Sequence, residues 1–173
     1  MPRLDRRWVL AWGRRYERLM PPVEPRLLTE VGPAVAARGF YQQAEFAEVA
    51  AWKSPRSKPA IAANAPADVR EVTGLAFGSS EHLQHRILTV LDGVGIRTAT
   101  ALLTVPFPDR HTVLDFRAVE ALARLDLWDG TGGYPAYLDV CRRVSRRLRV
   151  PLRTLDRALW RWSRDRYAET PLA

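Results

Sequence analysis

Apolar side chains recur along this chain at intervals of three and four, the period of one face of a helix. Trp8, Trp12, Tyr16 and Leu19 predict an amphipathic helix over residues 4–19, with arginines around the rest and Met20-Pro21-Pro22 ending it. Leu27, Leu28, Val31, Val35 and Ala36 predict a second helix over 25–38, with a kink expected at Gly32-Pro33 and a C-cap at Gly39. Residues 42–52 are apolar nearly all round and predict a core helix. A polar, basic loop (53–59) and a short apolar stretch (61–65) follow. A helix is then expected over 68–77, with Val69, Val72, Leu75 and Ala76 inward.

The second half reads the same way. Helices are predicted over 81–91, with Leu83, Ile87, Leu88 and Leu91 inward, and over 96–105. Pro106-Phe107-Pro108 breaks the second of these, and 109–114 reads as an exposed link that carries an exposed His111. A helix opening at Asp115 runs to Leu125 with Phe116, Val119, Leu122 and Ala123 inward. After the flexible turn 129–133, helices are expected over 134–148 and 152–167. No pair of alternating runs suggests paired strands, so the predicted fold class is all-α.

Between the helices at 81–91 and 96–105 lies Asp92-Gly93-Val94-Gly95. The two glycines allow φ > 0 and leave no side chain over the turn. The first amides of the following helix then face outward with the positive end of its dipole behind them, an arrangement that binds phosphate. Asp115, directly before a helix, reads in two ways. It is an ordinary N-cap, worth about 1 kcal/mol, or it is a carboxylate held stiff and ionised for chemistry.

Composition changes the picture in three ways. Net charge is +8 and the isoelectric point about 10.5, which favours a polyanionic partner. The basic residues are arginines except Lys53 and Lys58, and arginine makes bidentate contacts to phosphate. A block of ten arginines between 142 and 166 faces only Asp156 and Asp165, and reads as either a solvated surface or a phosphate-binding flank. The single cysteine, Cys141, excludes a disulfide within the chain and a four-cysteine metal or iron–sulfur site. His82, His85 and His111 show no metal-ligand spacing, so no metal site is expected. No apolar run reaches the length of a membrane span, and MPRLDRRW lacks the apolar core of a signal peptide. These features lead to the expectation of a cytoplasmic protein with no membrane partner.

Leu91, Gly93, Val94, Gly95, Thr98 and Ala99, with Asp115 eighteen residues after Arg97, resemble the helix-hairpin-helix DNA glycosylase superfamily, most closely over residues 85–122. The resemblance implies a single domain over 1–173, built as a two-lobed helical bundle. One lobe spans about 25–128 and contains the hairpin at 82–105; the other combines about 1–24 with 134–173. It implies a monomer acting on double-stranded DNA that holds a damaged or modified base. Gly93, Val94, Gly95, Arg97 and Thr98 would bind the DNA backbone, and Lys53 and Arg56 would lie on a loop that faces DNA. Asp115 would be the catalytic carboxylate. Members that also cut the backbone carry a lysine at the position of Arg97. Arginine cannot form the Schiff base that cutting needs, so the resemblance implies a monofunctional enzyme, with Lys53 the reserve amine. No cofactor is implied beyond a monovalent cation at the hairpin, and the cysteine cluster of many relatives is missing. Asp92 stands where relatives carry proline. The alternative reading is a non-catalytic helix-hairpin-helix DNA-binding protein.

Overall fold

The computed structural model describes residues 4–167 and is all-α, with no strand among them. The elements are α1 (Arg6–Glu17), α2 (Val23–Arg26), a π-helical stretch (Leu27–Val31), α3 (Gly32–Arg38), α4 (Gln43–Lys53), a 3₁₀ turn (Pro55–Ser57), α5 (Lys58–Ala63), α6 (Pro66–Gly78), α7 (Glu81–Leu88), α8 (Ile96–Thr104), α9 (Phe116–Arg124), α10 (Gly133–Leu148) and α11 (Leu152–Tyr167). No helix among the described residues is long and apolar enough to cross a membrane. The chain divides into two units. One, here the hairpin unit, is residues 21–111; the other, the terminal unit, joins 1–20 to 112–173. The segment 112–128, expected with the hairpin lobe, therefore groups with the termini.

In the hairpin unit, α8 is the central helix: Ala99, Ala101, Leu102 and Leu103 are all fully buried. Helix α4 packs on it, buries Phe46, Val49 and Ala50, and begins with a capping box in which Glu45 accepts from the Gln42 amide at 2.9 Å. The Tyr41 hydroxyl donates to the Leu102 carbonyl at 3.0 Å, which satisfies a buried polar atom and ties the start of α4 to the middle of α8. The expected kink at Gly32-Pro33 takes the form of the π-helical stretch. Pro33 has no N–H for the Thr29 carbonyl and its ring crowds that carbonyl, so the coil widens just before it and Gly32 donates to Leu27, five residues back. Gly32 also meets the far end of α8: a Cβ there would sit 2.4 Å from the Val105 carbonyl oxygen.

Helix α7 ends at Leu88, three residues earlier than its apolar stripe suggests. Its buried face is Gln84, His85 and Leu88, while Leu83 is exposed. The Gln84 amide reaches the Phe77 carbonyl in the last turn of α6 and the carbonyl of Ser79, its C-cap, so a polar side chain here finishes a neighbouring helix. Leu75 on α6 is likewise exposed rather than inward. His111, expected on an exposed link, is fully buried beside the Phe107 ring, and its amide donates to the Phe107 carbonyl at 2.9 Å.

In the terminal unit, α11 packs against α1, α9 and α10. Trp8 meets Trp162 edge-on at 5.6 Å and Tyr16 meets Trp160 at 5.5 Å. Asp5 caps α1 by accepting from the Trp8 amide. Burial pushes the Cys141 thiol well above its usual range, so it is a small core residue and no nucleophile.

Candidate functional site: a hairpin turn and a capped carboxylate

The hairpin turn connects the end of α7 to the start of α8. Only one of its glycines needs glycine's freedom: Gly93 has φ +75°, whereas Gly95 is extended at φ −82° and ψ 174°. Gly93 is also pressed against α5, since a Cβ there would lie 3.0 Å from the Ile61 backbone nitrogen and 3.1 Å from Ala60 Cβ. Gly95 contributes something else. Open space surrounds the place its Cβ would take, and no side chain caps α8. The first helical bond runs from the Ala99 amide to the Gly95 carbonyl at 2.9 Å. The N-terminal turn of α8 thus keeps a positive dipole end without an anionic cap of its own.

The turn is held by a residue that the sequence pattern hides. The Asn64 carboxamide accepts from the Asp92 amide at 2.8 Å and donates to the Asp92 carbonyl at 3.0 Å, the pairing of one strand with another made by a side chain. It also donates to the Ile61 carbonyl at 3.0 Å, and the Asn64 carbonyl accepts from Gln43 on α4. Asn64 is buried and its bonds to Asp92 are partly so, which stiffens them and makes the loss of one costly. In sequence Asn64 is only the polar residue closing an apolar stretch before Pro66. Asp92, the residue out of keeping with the hairpin pattern, has its backbone in the clamp while its side chain is exposed.

The hairpin unit also carries the other expected contacts except Asp115. Arg97 is exposed in the first turn of α8. Val94 and Thr98 are buried, so their side chains serve the core and any contact they make beyond it runs through the backbone. Lys53 is the half-buried last residue of α4, and Arg56 is exposed in the 3₁₀ turn. This basic loop leads directly into α5, the helix on which Gly93 rests. Of the aromatics in this unit, Tyr41 and Phe46 lie fully in the core, while Trp52 and Phe107 are half-buried.

Asp115 belongs to the terminal unit and is the N-cap of α9. Its Oδ1 accepts from the Arg117 amide at 2.9 Å, and its backbone is extended at φ −120°. Phe116, expected inward, is 51% exposed, with the Arg117 guanidinium 4.7 Å over its ring. One turn on, Glu120 is buried and anchors α9 to α11: Ser163 donates to it, as do Arg117 at 3.2 Å and Arg124 at 3.3 Å. Burial alone would raise the Glu120 carboxyl, but these donors outweigh it and hold the group below its ordinary pKa. The segment that carries Asp115 is therefore pinned at its cap and one turn later. Among the described residues, no group of three or more His, Cys, Asp or Glu is arranged to hold a metal ion. Comparisons with protein-family models, with curated proteins and with solved structures found no match.

Proposed function

We propose that this chain is a monofunctional DNA glycosylase with a two-lobed helical fold of the helix-hairpin-helix type, acting on duplex DNA at a damaged or modified base. The observation that carries the reading is the uncapped, open start of α8 behind a clamped Gly93 turn, followed in the chain by a capped carboxylate at the interval that the resemblance requires. The hairpin amides and Arg97 are assigned to the DNA backbone. Asp115 is assigned to the sugar of a nucleotide turned out of the stack, since a base within a duplex is beyond reach of a side chain. As the bond from sugar to base breaks, its electron pair leaves with the base and positive charge builds on the sugar. A fixed carboxylate stabilises that charge and takes a proton from the water that adds to the anomeric carbon; the proton then passes by way of solvent to the departing base, which restores the carboxylate. The products are a free base and an abasic site. Arg97, a guanidinium, cannot replace water as nucleophile.

The test is base release from a panel of modified duplexes, with Asp115→Asn alongside. Asparagine is as good an N-cap as aspartate, so the variant should fold and bind DNA normally while release falls on the order of 100-fold or more. Unchanged release in the variant would remove Asp115 from the chemistry. One observation favours the second reading, a non-catalytic DNA-binding protein: Asp115 Oδ1 already does the work of a cap. That reading gains if duplex binds and no modified base is ever released.

A further inference from the structure

The net charge of +8 is not shared between the two units. The hairpin unit holds nine basic and nine acidic residues and is neutral overall; the terminal unit holds eighteen arginines, no lysine and ten acidic residues. Part of that arginine is occupied at home. Arg15 and Arg161 pair with Asp165, Arg153 with Asp156, and Arg157 with Glu17. Exposed arginines outside the ion pairs of the described residues include Arg6, Arg7, Arg14 and Arg18 on α1 and its C-cap and, most closely spaced, those at the end of α10. Arg143, Arg146, Arg147 and Arg149 are exposed and enter none of the ion pairs among the described residues. Arg143 and Arg147 lie one turn apart on the exposed row that begins at Pro135 and Asp139, and Arg146 adjoins them. The dipole at the end of α10 favours cations in its last turn. That accounts for Arg146 and Arg147, but not for Arg143 or for the excess of the whole unit, which opposes folding by self-repulsion.

We propose that this arginine face of α10 is a docking surface for the nucleic-acid backbone, and that the terminal unit supplies most of the sequence-independent affinity for duplex. The hairpin unit, without net charge, contributes local phosphate contacts and little long-range attraction. Two features favour nucleic acid over an anionic membrane. Every basic residue of the unit is arginine, whose planar fork matches phosphate oxygens in pairs. And α10 exposes none of the large apolar side chains that an interfacial helix sinks into lipid. The inference does not depend on Asp115 being catalytic.

The experiment measures binding of the full chain to a short unmodified duplex across a salt series, for wild type and for Arg143→Gln, Arg146→Gln, Arg147→Gln and Arg149→Gln combined. Each phosphate that is no longer neutralised should lower the slope of log affinity against log salt by about 0.9. The combined variant should therefore bind at least about tenfold more weakly at low salt, with a slope shallower by up to about 3.6. The matching four-fold Arg→Lys variant should keep the slope, because it keeps the charge. The residues are exposed, so the melting midpoint should stay level or rise, which distinguishes weaker docking from unfolding. Wild-type affinity and slope in the glutamine variant would overturn the proposal. So would preference of the wild type for phosphatidylglycerol vesicles over duplex. If no base is released but duplex binding depends on these arginines, the glycosylase reading fails and this one stands.

Discussion

Two helix N-termini in this molecule are treated in opposite ways. The start of α9 carries its own anion, with the Asp115 carboxylate bonded to the Arg117 amide. The start of α8 has no side-chain cap, a glycine with open space where a side chain would stand, and an exposed arginine beside it. With glycine at the N-cap, such an end forgoes only about a few tenths of a kcal/mol, and the turn before it takes its support from elsewhere. Here that support is Asn64 and the close seat of Gly93 on α5. A capped end gains stability and fixes its carboxylate in one orientation. On the proposed reading, the uncapped end is prepared for a visiting anion and the capped end presents an anion to something else.

Giving α8 the cap that α9 has is the sharpest way to break the contrast. Gly95 is extended and unobstructed, so Gly95→Asp should be accommodated and should leave the melting midpoint unchanged or slightly higher. The same change puts a negative charge where phosphate is expected, and duplex affinity should fall by about tenfold or more. If affinity holds in a binding titration, the open end of α8 is not a phosphate site. A smaller effect is expected from Asn64→Ala, which leaves the Asp92 amide and carbonyl without their partner and should cost about 1–3 kcal/mol. Its signature is local: amide exchange should quicken from Asp92 to Arg97 before it does in α4, and duplex affinity should drop several-fold with an unchanged salt slope. Uniform acceleration would reduce Asn64 to a general core residue.

The smallest effect concerns the capped side. The Glu120 carboxyl is held below its ordinary value of 4.5 in the folded protein, so the unfolded chain takes up the proton first. The stabilisation is complete above about pH 4.5 and is lost as pH falls through the folded value. Chemical denaturation at several acidic pH values should show this slope in wild type and a shallower one in Glu120→Gln. Equal slopes would show that the bonds from Ser163, Arg117 and Arg124 do not bias protonation.

Most of the helices are legible in the sequence because buried stripes recur at helical spacing, and the hairpin is legible because glycines mark it. What escaped was decided by packing between elements. Periodicity put Leu83 inward, yet the buried place went to Gln84, because α6 ends there with carbonyls in need of a donor. It put Phe116 inward, yet α9 buries Ala118, Glu120, Ala121 and Leu122. Glu120 could not be read as a core residue without knowing that two arginines and Ser163 converge on it. Of the candidate site, Gly93, Arg97 and Asp115 carry recognisable spacing. Asn64 carries none, since its role rests on a backbone 28 residues away.

The close approach of Gly32 to Val105 bears on more than packing. Together with the seat under Gly93 it makes α8 a rod lodged between two stops, one at each end. A side chain at Gly32 would overlap the Val105 carbonyl at one end, and a side chain at Gly93 would crowd Ile61 at the other. The reach of its leading amides is therefore set before any ligand arrives. An anion that binds there orders little that is not already ordered, and more of its interaction free energy remains as affinity.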